Sequence, residues 1–195
     1  LKDAGNAAKD NFVSQQDGGF YANMYKNSGL FGGHIIILNP EGSQFYEEDV
    51  KQAQKALANF PQGMQAGGGI NEKNALKFID MGASHVIVTS YVFKDGKINF
   101  SNLEKLANTV TPKKLVLDLS CRKKDGEYFI VTDRWQKFTN TPFNEKTLDM
   151  LCGYCDEFLV HAVDVEGKAR GIEEDVVSLL GNWLKIPCTY AGGIS

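Results

Sequence analysis

Short apolar runs rich in β-branched residues recur along the chain at 34–38 (HIIIL), 64–66 (MQA), 85–88 (HVIV), 115–118 (LVLD), 158–162 (FLVHA) and 188–191 (CTYA). They lack strict alternation of apolar and polar positions, which is the pattern of parallel strands covered on both faces. Between the runs, apolar residues return with a helical period. Phe20, Tyr21, Met24 and Tyr25 share a face ahead of the first run, and Ala53, Ala56, Leu57 and Phe60 share one ahead of the second. Asn71 is placed to cap a helix that carries Ala75, Leu76 and Ile79 and stops at Gly82. Leu103, Leu106, Ala107 and Val110 mark the next helix. Leu148, Leu151 and Cys155 mark a fifth, and Ile172, Val176, Leu179, Leu180 and Trp183 a sixth that ends before Pro187. Strand and helix alternate without a linker or a composition shift, which predicts one α/β domain over residues 1–195.

The runs recur roughly every 22–30 residues, except where 122–140 lengthens one interval. There EYFIVTDRW reads as a β-hairpin extension after the fourth run. The period fits a (β/α)8 TIM barrel or a doubly wound sheet. A complete barrel takes roughly 200–250 residues, and six of its eight βα units are visible here. The chain opens without an initiator Met and stops on a turn where a helix should begin. Both ends therefore read as cut, with the first and last barrel strands expected outside the segment.

Gln65-Ala-Gly-Gly-Gly-Ile-Asn71 returns as Tyr190-Ala-Gly-Gly-Ile-Ser195, with the Gly-Gly-Ile triplets offset by 124 residues. Each triplet directly follows a short strand, and the offset equals about four βα units. That is the mark of a duplicated half-barrel. Glycines at this place let the main chain approach an anion without a Cβ in the way, and a following helix start offers free amides. Two such turns four units apart face each other across a barrel mouth. They predict a ligand with a phosphate at each end, held by Gly68 and Gly69 on one side and Gly192 and Gly193 on the other. Thr89 and Ser90 end the strand after the first turn and can complete that phosphate site.

Composition narrows the partners. The 21 basic and 24 acidic residues leave a net charge of −3, which argues against a nucleic-acid partner. No apolar run is long enough to predict a membrane span. Four cysteines in 195 residues are not a disulfide framework. Cys152-Gly-Tyr-Cys155 has CxxC spacing, but no second pair completes a zinc site, so these read as reduced thiols.

Asp118 closes its strand after three apolar residues. A carboxylate at the C-terminal end of a barrel strand points into the mouth, where it can carry protons. The structural alternative is a cap or an ion-pair partner for Arg122. Asp164, after the next strand, is a second catalytic candidate. His161 inside that strand reads as a packed polar residue. Trp135 on the hairpin reads either as a stacking lid over a ligand or as hairpin core.

Together QAGGGIN, HVIVTSYVF, LVLDLSCRKKDG, IVTDRWQKF, EFLVHAVDVEG and TYAGGIS resemble the eukaryotic, plant-like branch of the phosphoribosylformimino-aminoimidazole carboxamide ribotide isomerase family of histidine biosynthesis. The resemblance spans nearly the whole chain. It implies a TIM barrel and an internal aldose-to-ketose (Amadori) isomerisation of a bisphosphorylated substrate, with no metal or cofactor. It makes Asp118 the fifth-strand aspartate and Trp135 part of a closing loop. It assigns Gly68, Gly69 and Ser90 to one phosphate, and Gly192 and Gly193 to the other. The candidate binding set is Gly68, Gly69, Thr89, Ser90, Arg122, Trp135, Gly192 and Gly193, beside the catalytic candidates Asp118 and Asp164. The family's first-strand Ile-Asp-x-x-x-Gly-Lys phrase and its eighth-strand phosphate donors do not occur here. Ala162 stands where bacterial members carry Thr, and the bacterial Asp-x-Arg is absent, Arg122 lying four residues after Asp118. The imidazole glycerol phosphate synthase type of cyclase barrel and a non-catalytic phosphate-binding partial barrel are the alternatives. The expected location is intracellular, in the cytoplasm or, in a plant, the plastid stroma. A monomer is expected for the full-length protein.

Overall fold

The computed structural model describes residues 14–132, 135–169 and 171–194. Each sequence-predicted apolar run becomes a strand within a residue or two of its expected bounds. The first half runs α1 (Gly18–Asn27), β1 (Gly33–Ile36), α2 (Tyr46–Asn59), β2 (Met64–Gly67), α3 (Ala75–Asp80) and β3 (Val86–Val88). Then come a small hairpin, β4 (Phe93–Lys94) and β5 (Lys97–Ile98), followed by α4 (Phe100–Val110) and β6 (Leu115–Asp118). An antiparallel excursion follows: β7 (Cys121–Lys124), β8 (Glu127–Thr132) and β9 (Lys137–Pro142). The chain returns through α5 (Glu145–Leu151), β10 (Glu157–His161), α6 (Glu174–Trp183) and β11 (Cys188–Ala191).

The main sheet has six strands in the order β1-β2-β3-β6-β10-β11, all parallel. Each strand pairs with the next strand of the winding, as in a barrel wall. The sheet curls. Gln65 on β2 donates from Nε2 to Glu157 Oε2 on β10 at 2.7 Å, although β3 and β6 lie between them. In a flat sheet three strand spacings would hold those backbones about 14 Å apart, so the side chains meet by crossing the concave side. Ile87, Val116 and Leu159 form their own buried cluster on that concave face. Val86, Val88, Leu115, Leu117, Phe158 and Val160 face the opposite way, into the larger core under the helices. The fold is thus the expected barrel wall, open between β1 and β11 among the described residues.

The duplication is visible in register. Gly33–Ile36 pairs with Met64–Gly67, and Phe158–His161 with Cys188–Ala191, four residues to four in both cases. Each pair continues with one matching bond: Ile37 N donates to Gly67 O at 2.9 Å, and Ala162 N to Ala191 O at 2.8 Å.

Several helix faces differ from the periodicity. On α1, Phe20 and Met24 are exposed, and the buried positions are Gly19 and Ala22. The cause is close approach to α2: a Cβ on Gly18 would lie 2.5 Å from Gln52 O. On α3 the buried anchor is Phe78, while Leu76 points outward. Asn71 does not cap α3; its Oδ1 accepts from Lys73 N at 2.8 Å in the preceding turn. Ile172 is exposed and lies ahead of α6. The β4–β5 hairpin goes beyond the sequence reading, yet its signal is in the chain. Asp95-Gly96 and Asp125-Gly126 both have positive φ (52° and 75°, 52° and 89°), as two-residue hairpin turns require.

Candidate active site

The concave face opens at the C-terminal strand ends, and Asp118 sits there at the end of β6 with its side chain largely buried. Its Oδ1 accepts from the Ser120 amide at 3.0 Å and the Ser120 hydroxyl at 2.7 Å. His161 Nδ1, at the end of β10, lies 3.3 Å from the same oxygen. A carboxylate oxygen can only accept here, so Nδ1 carries the proton. Oδ2 accepts from the Thr89 hydroxyl at 3.1 Å, just beyond β3. Oδ1 is therefore crowded with donors, while Oδ2 keeps capacity for a further proton or ligand.

Trp135, immediately ahead of β9, reaches over this group. Its indole Nε1 donates to Ser120 Oγ at 3.0 Å, and its ring lies 5.8 Å from the His161 ring at a 45° tilt. The Trp135 backbone has φ +68°, a left-handed conformation that costs a bulky residue about 1–2 kcal/mol. Strain of this kind gathers at functional sites because surrounding contacts must hold it.

The neighbouring acid has different company. Asp164 Oδ1 accepts from Arg122 Nε at 2.9 Å, and Oδ2 from the Lys123 amide at 2.9 Å. Its carbonyl oxygen accepts from Lys168 Nζ. Arg122 thus faces Asp164 rather than Asp118, and its guanidinium lies 5.5 Å from the centre of the Phe138 ring. The two acids share no hydrogen bond. The contact stitches the loop after β10 to β7, continuing the Cys121–Ala162 bridge.

The glycine turns stand at the rims. Gly68 and Gly69 have φ of +96° and +69°, and Gly192 and Gly193 +133° and +70°. A Cβ on Gly68 would lie 2.0 Å from Ile37 O, and one on Gly192 would lie 2.8 Å from Ala162 O. Each turn is thus pressed against the strand end before it, by the same geometry in both halves. Gly69 O accepts from Asn71 Nδ2 at 3.3 Å and Asn74 Nδ2 at 3.0 Å, while Gly193 O accepts from the Gly171 amide at 3.1 Å. With those carbonyls tied back, the Gly69 and Gly193 amides meet no acceptor among the described residues. Such amides suit an anion. Ser90 is exposed beside a cavity of about 420 Å³ that Lys94, Thr132 and Asn140 also line. No group of three or more His, Cys, Asp and Glu side chains among the described residues is placed to hold a metal ion. All four thiols are free, and burial pushes Cys121 up to about 12.

The sequence reads His161 as a packed polar residue and gives His34 no role. His161 is not merely packed but reaches Asp118. His34 on β1 lies on the same concave side and feels the charges of Glu157, His161 and Asp118. Burial holds His34 below its ordinary value. Burial pulls His161 down as well, but the hydrogen bond and charge of Asp118, with Glu166 beyond, lift it above 6.5.

That lift has a measurable sign. A group raised in the folded state contributes stability that is complete below its unfolded pKa and is lost as pH climbs through the folded one. His34, being lowered, works in the opposite sense. The comparison is therefore between wild type and His161→Gln, with Asp118, Ser120, Trp135, Glu166 and His34 unchanged. The stability gap read from urea midpoints should be widest near about pH 6 and close as pH rises above the imidazole's titration. A gap that does not vary with pH would show that no imidazolium–carboxylate pair forms.

A parallel barrel wall with a duplicated glycine turn and a carboxylate at its mouth defines the class: a β/α barrel built by internal repetition. The family model described as "Histidine biosynthesis protein" matches residues 5–195, and the chain belongs to that family. It is 49% identical over 193 residues to the chloroplastic 1-(5-phosphoribosyl)-5-((5-phosphoribosylamino)methylideneamino)imidazole-4-carboxamide isomerase of Medicago truncatula, covering 99% of this chain and 60% of that protein. The isomerase of the same name from Yarrowia lipolytica is 45% identical, over 99% of this chain and 74% of that protein. The one from Saccharomyces cerevisiae is 41% identical, over 95% and 70%. The chain thus spans about three fifths of the Medicago relative's length.

Proposed function

We propose that the intact protein catalyses the internal aldose-to-ketose isomerisation for which these relatives are named. Its substrate would be the ribotide with a phosphoribosyl group at each end, and its product the ribulosyl isomer. The observation that carries the reading is the pair of glycine turns in equivalent register on either side of Asp118. A ligand with two terminal phosphates is the chemistry that such a symmetric arrangement accommodates.

In this reading Gly68 and Gly69 take one phosphate on main-chain amides, with Ser90, beyond the neighbouring strand β3, as a further donor, and Gly192 and Gly193 take the other. The sugar between them lies over Asp118. Protonation of the ring oxygen opens the ribose to an imine. Removal of the proton on the second carbon then gives an enolamine, which becomes the ketose. The imine makes that proton acidic, so a carboxylate suffices as its carrier. Asp118 is the carboxylate assigned to proton transfer, through Oδ2. Thr89 orients that oxygen, and Trp135 covers the sugar. Asp164 is ion-paired with Arg122 and accepts from the Lys123 amide, which fits bracing of the β10 loop. An intracellular location follows from the same reading, and the chloroplastic relative supports the plastid stroma if the source is a plant.

The test is conversion of the purified bisphosphorylated ribosyl substrate by the intact protein, without ammonia or a glutaminase. Appearance of the ribulosyl isomer by chromatography is expected. Absence of conversion, or a requirement for ammonia, would remove the isomerase reading.

A further inference from the structure

Ser120 is the point where three elements meet. It is fully buried between β6 and β7. Its hydroxyl has one proton, which goes to Asp118 Oδ1 at 2.7 Å. Its oxygen accepts the Trp135 indole N–H at 3.0 Å, and His161 Nδ1 stands 3.5 Å away. Donor and acceptor roles are therefore settled: the indole donates to the hydroxyl, and the hydroxyl donates to the carboxylate. Donors in such a chain polarise one another, and the bond to the charged end is the strong one. Trp135 makes this contact from the β8–β9 connection, with a left-handed backbone.

We infer that Ser120 is a positioning residue that couples the seating of Trp135 over the mouth to the orientation of the Asp118 carboxylate. Oδ1 is pinned by Ser120 and His161, which turns Oδ2 toward the mouth. When Trp135 is seated, its N–H strengthens the Ser120 bond and fixes that rotamer. When Trp135 lifts, the hydroxyl loses its orienting donor and the carboxylate is held by fewer constraints. Covering the ligand and aiming the proton carrier become one event. The inference rests on the proposed isomerisation only for its kinetic consequence; the coupling itself is a property of the protein without substrate.

The test uses the intact protein and two readouts. The Trp135 indole N–H signal is assigned in a proton–nitrogen NMR spectrum by its loss in Trp135→Phe. Asp118→Asn should shift that signal when Ser120 is present and leave it unmoved in a Ser120→Ala background. In turnover, Ser120→Ala should lower kcat by about 10- to 100-fold, as for a lost hydrogen bond to a charged group, with KM within about twofold. Ser120→Thr, which keeps the hydroxyl, should restore most of it. An indole signal indifferent to Asp118→Asn overturns the coupling. So does a Ser120→Ala enzyme with unchanged kcat. If Ser120→Ala does not fold, the indole shift in Asp118→Asn alone decides. If no isomerisation is found at all, the proposed function falls, and the spectroscopic arm still judges the relay.

Discussion

Asp118→Asn in the intact protein should lower kcat by about 10²- to 10⁴-fold, the range for loss of a general acid–base group, while KM should change little. The expectation comes from what the substitution preserves. The asparagine oxygen can still accept from the Ser120 amide, the Ser120 hydroxyl and His161, as Oδ1 does now. The new NH₂ replaces Oδ2, and the Thr89 hydroxyl, which now donates to Oδ2, can rotate to accept. Shape and packing survive, and the proton-carrying function does not. Urea unfolding of the variant should stay close to wild type, which separates lost chemistry from lost fold. Wild-type turnover in this variant would take Asp118 out of the reaction.

The second large effect distinguishes two adjacent glycines. Gly68→Ala places a methyl 2.0 Å from Ile37 O and 2.7 Å from Ile37 N. Both atoms are backbone, and Ile37 N is bonded to Gly67 O, so nothing can yield without unpairing β1 from β2. The loss should exceed about 3 kcal/mol, at the exceptional end for one substitution, or the protein should fail to fold. Gly69→Ala meets nothing within 4 Å. Its cost is the positive φ alone, about 1–2 kcal/mol. It should raise KM for the bisphosphorylated substrate, because the methyl stands where a phosphate approaches the amide, and leave kcat nearly intact. Unfolding midpoints and KM for the pair check both halves. Equal stability losses would mean the strand contact is not what confines Gly68. An unchanged KM in Gly69→Ala would count against the turn as a phosphate site.

Much of this arrangement is legible along the chain, for identifiable reasons. The four inner strands are buried on both faces and so leave continuous apolar runs, and the edge strands β1 and β11, though partly exposed, carry runs of the same kind. A repeated Gly-Gly-Ile after a strand is a local feature with a local cause: the chain must turn with positive φ against the preceding strand end. Asp118 stands out because an acid seldom ends such a run. Ser120 is unmarked because its role depends on Trp135, 15 residues on, and His161 reads only as a packed residue because its contact with Asp118 spans 43 residues of chain. Curvature carries no periodicity, so nothing in the spacing says that Gln65 will touch Glu157. The face of α1 is hidden from the periodicity for a related reason. Hydrophobic size marks Phe20 and Met24, whereas the helix packs through the small residues Gly19 and Ala22 because only they admit α2 so closely.

Beneath Asp118, Ile87, Val116 and Leu159 plug the hollow of the sheet, and Gln65 clasps Glu157. Among the described residues these side chains fill the floor of the hollow. On the proposed reading, a long ligand held at two rims would lie across the opening like a plank over a well, arriving and departing from above. Both of its anchors would then release toward the same bulk water, so shedding the product would be a matter of two simultaneous detachments rather than passage along a tunnel.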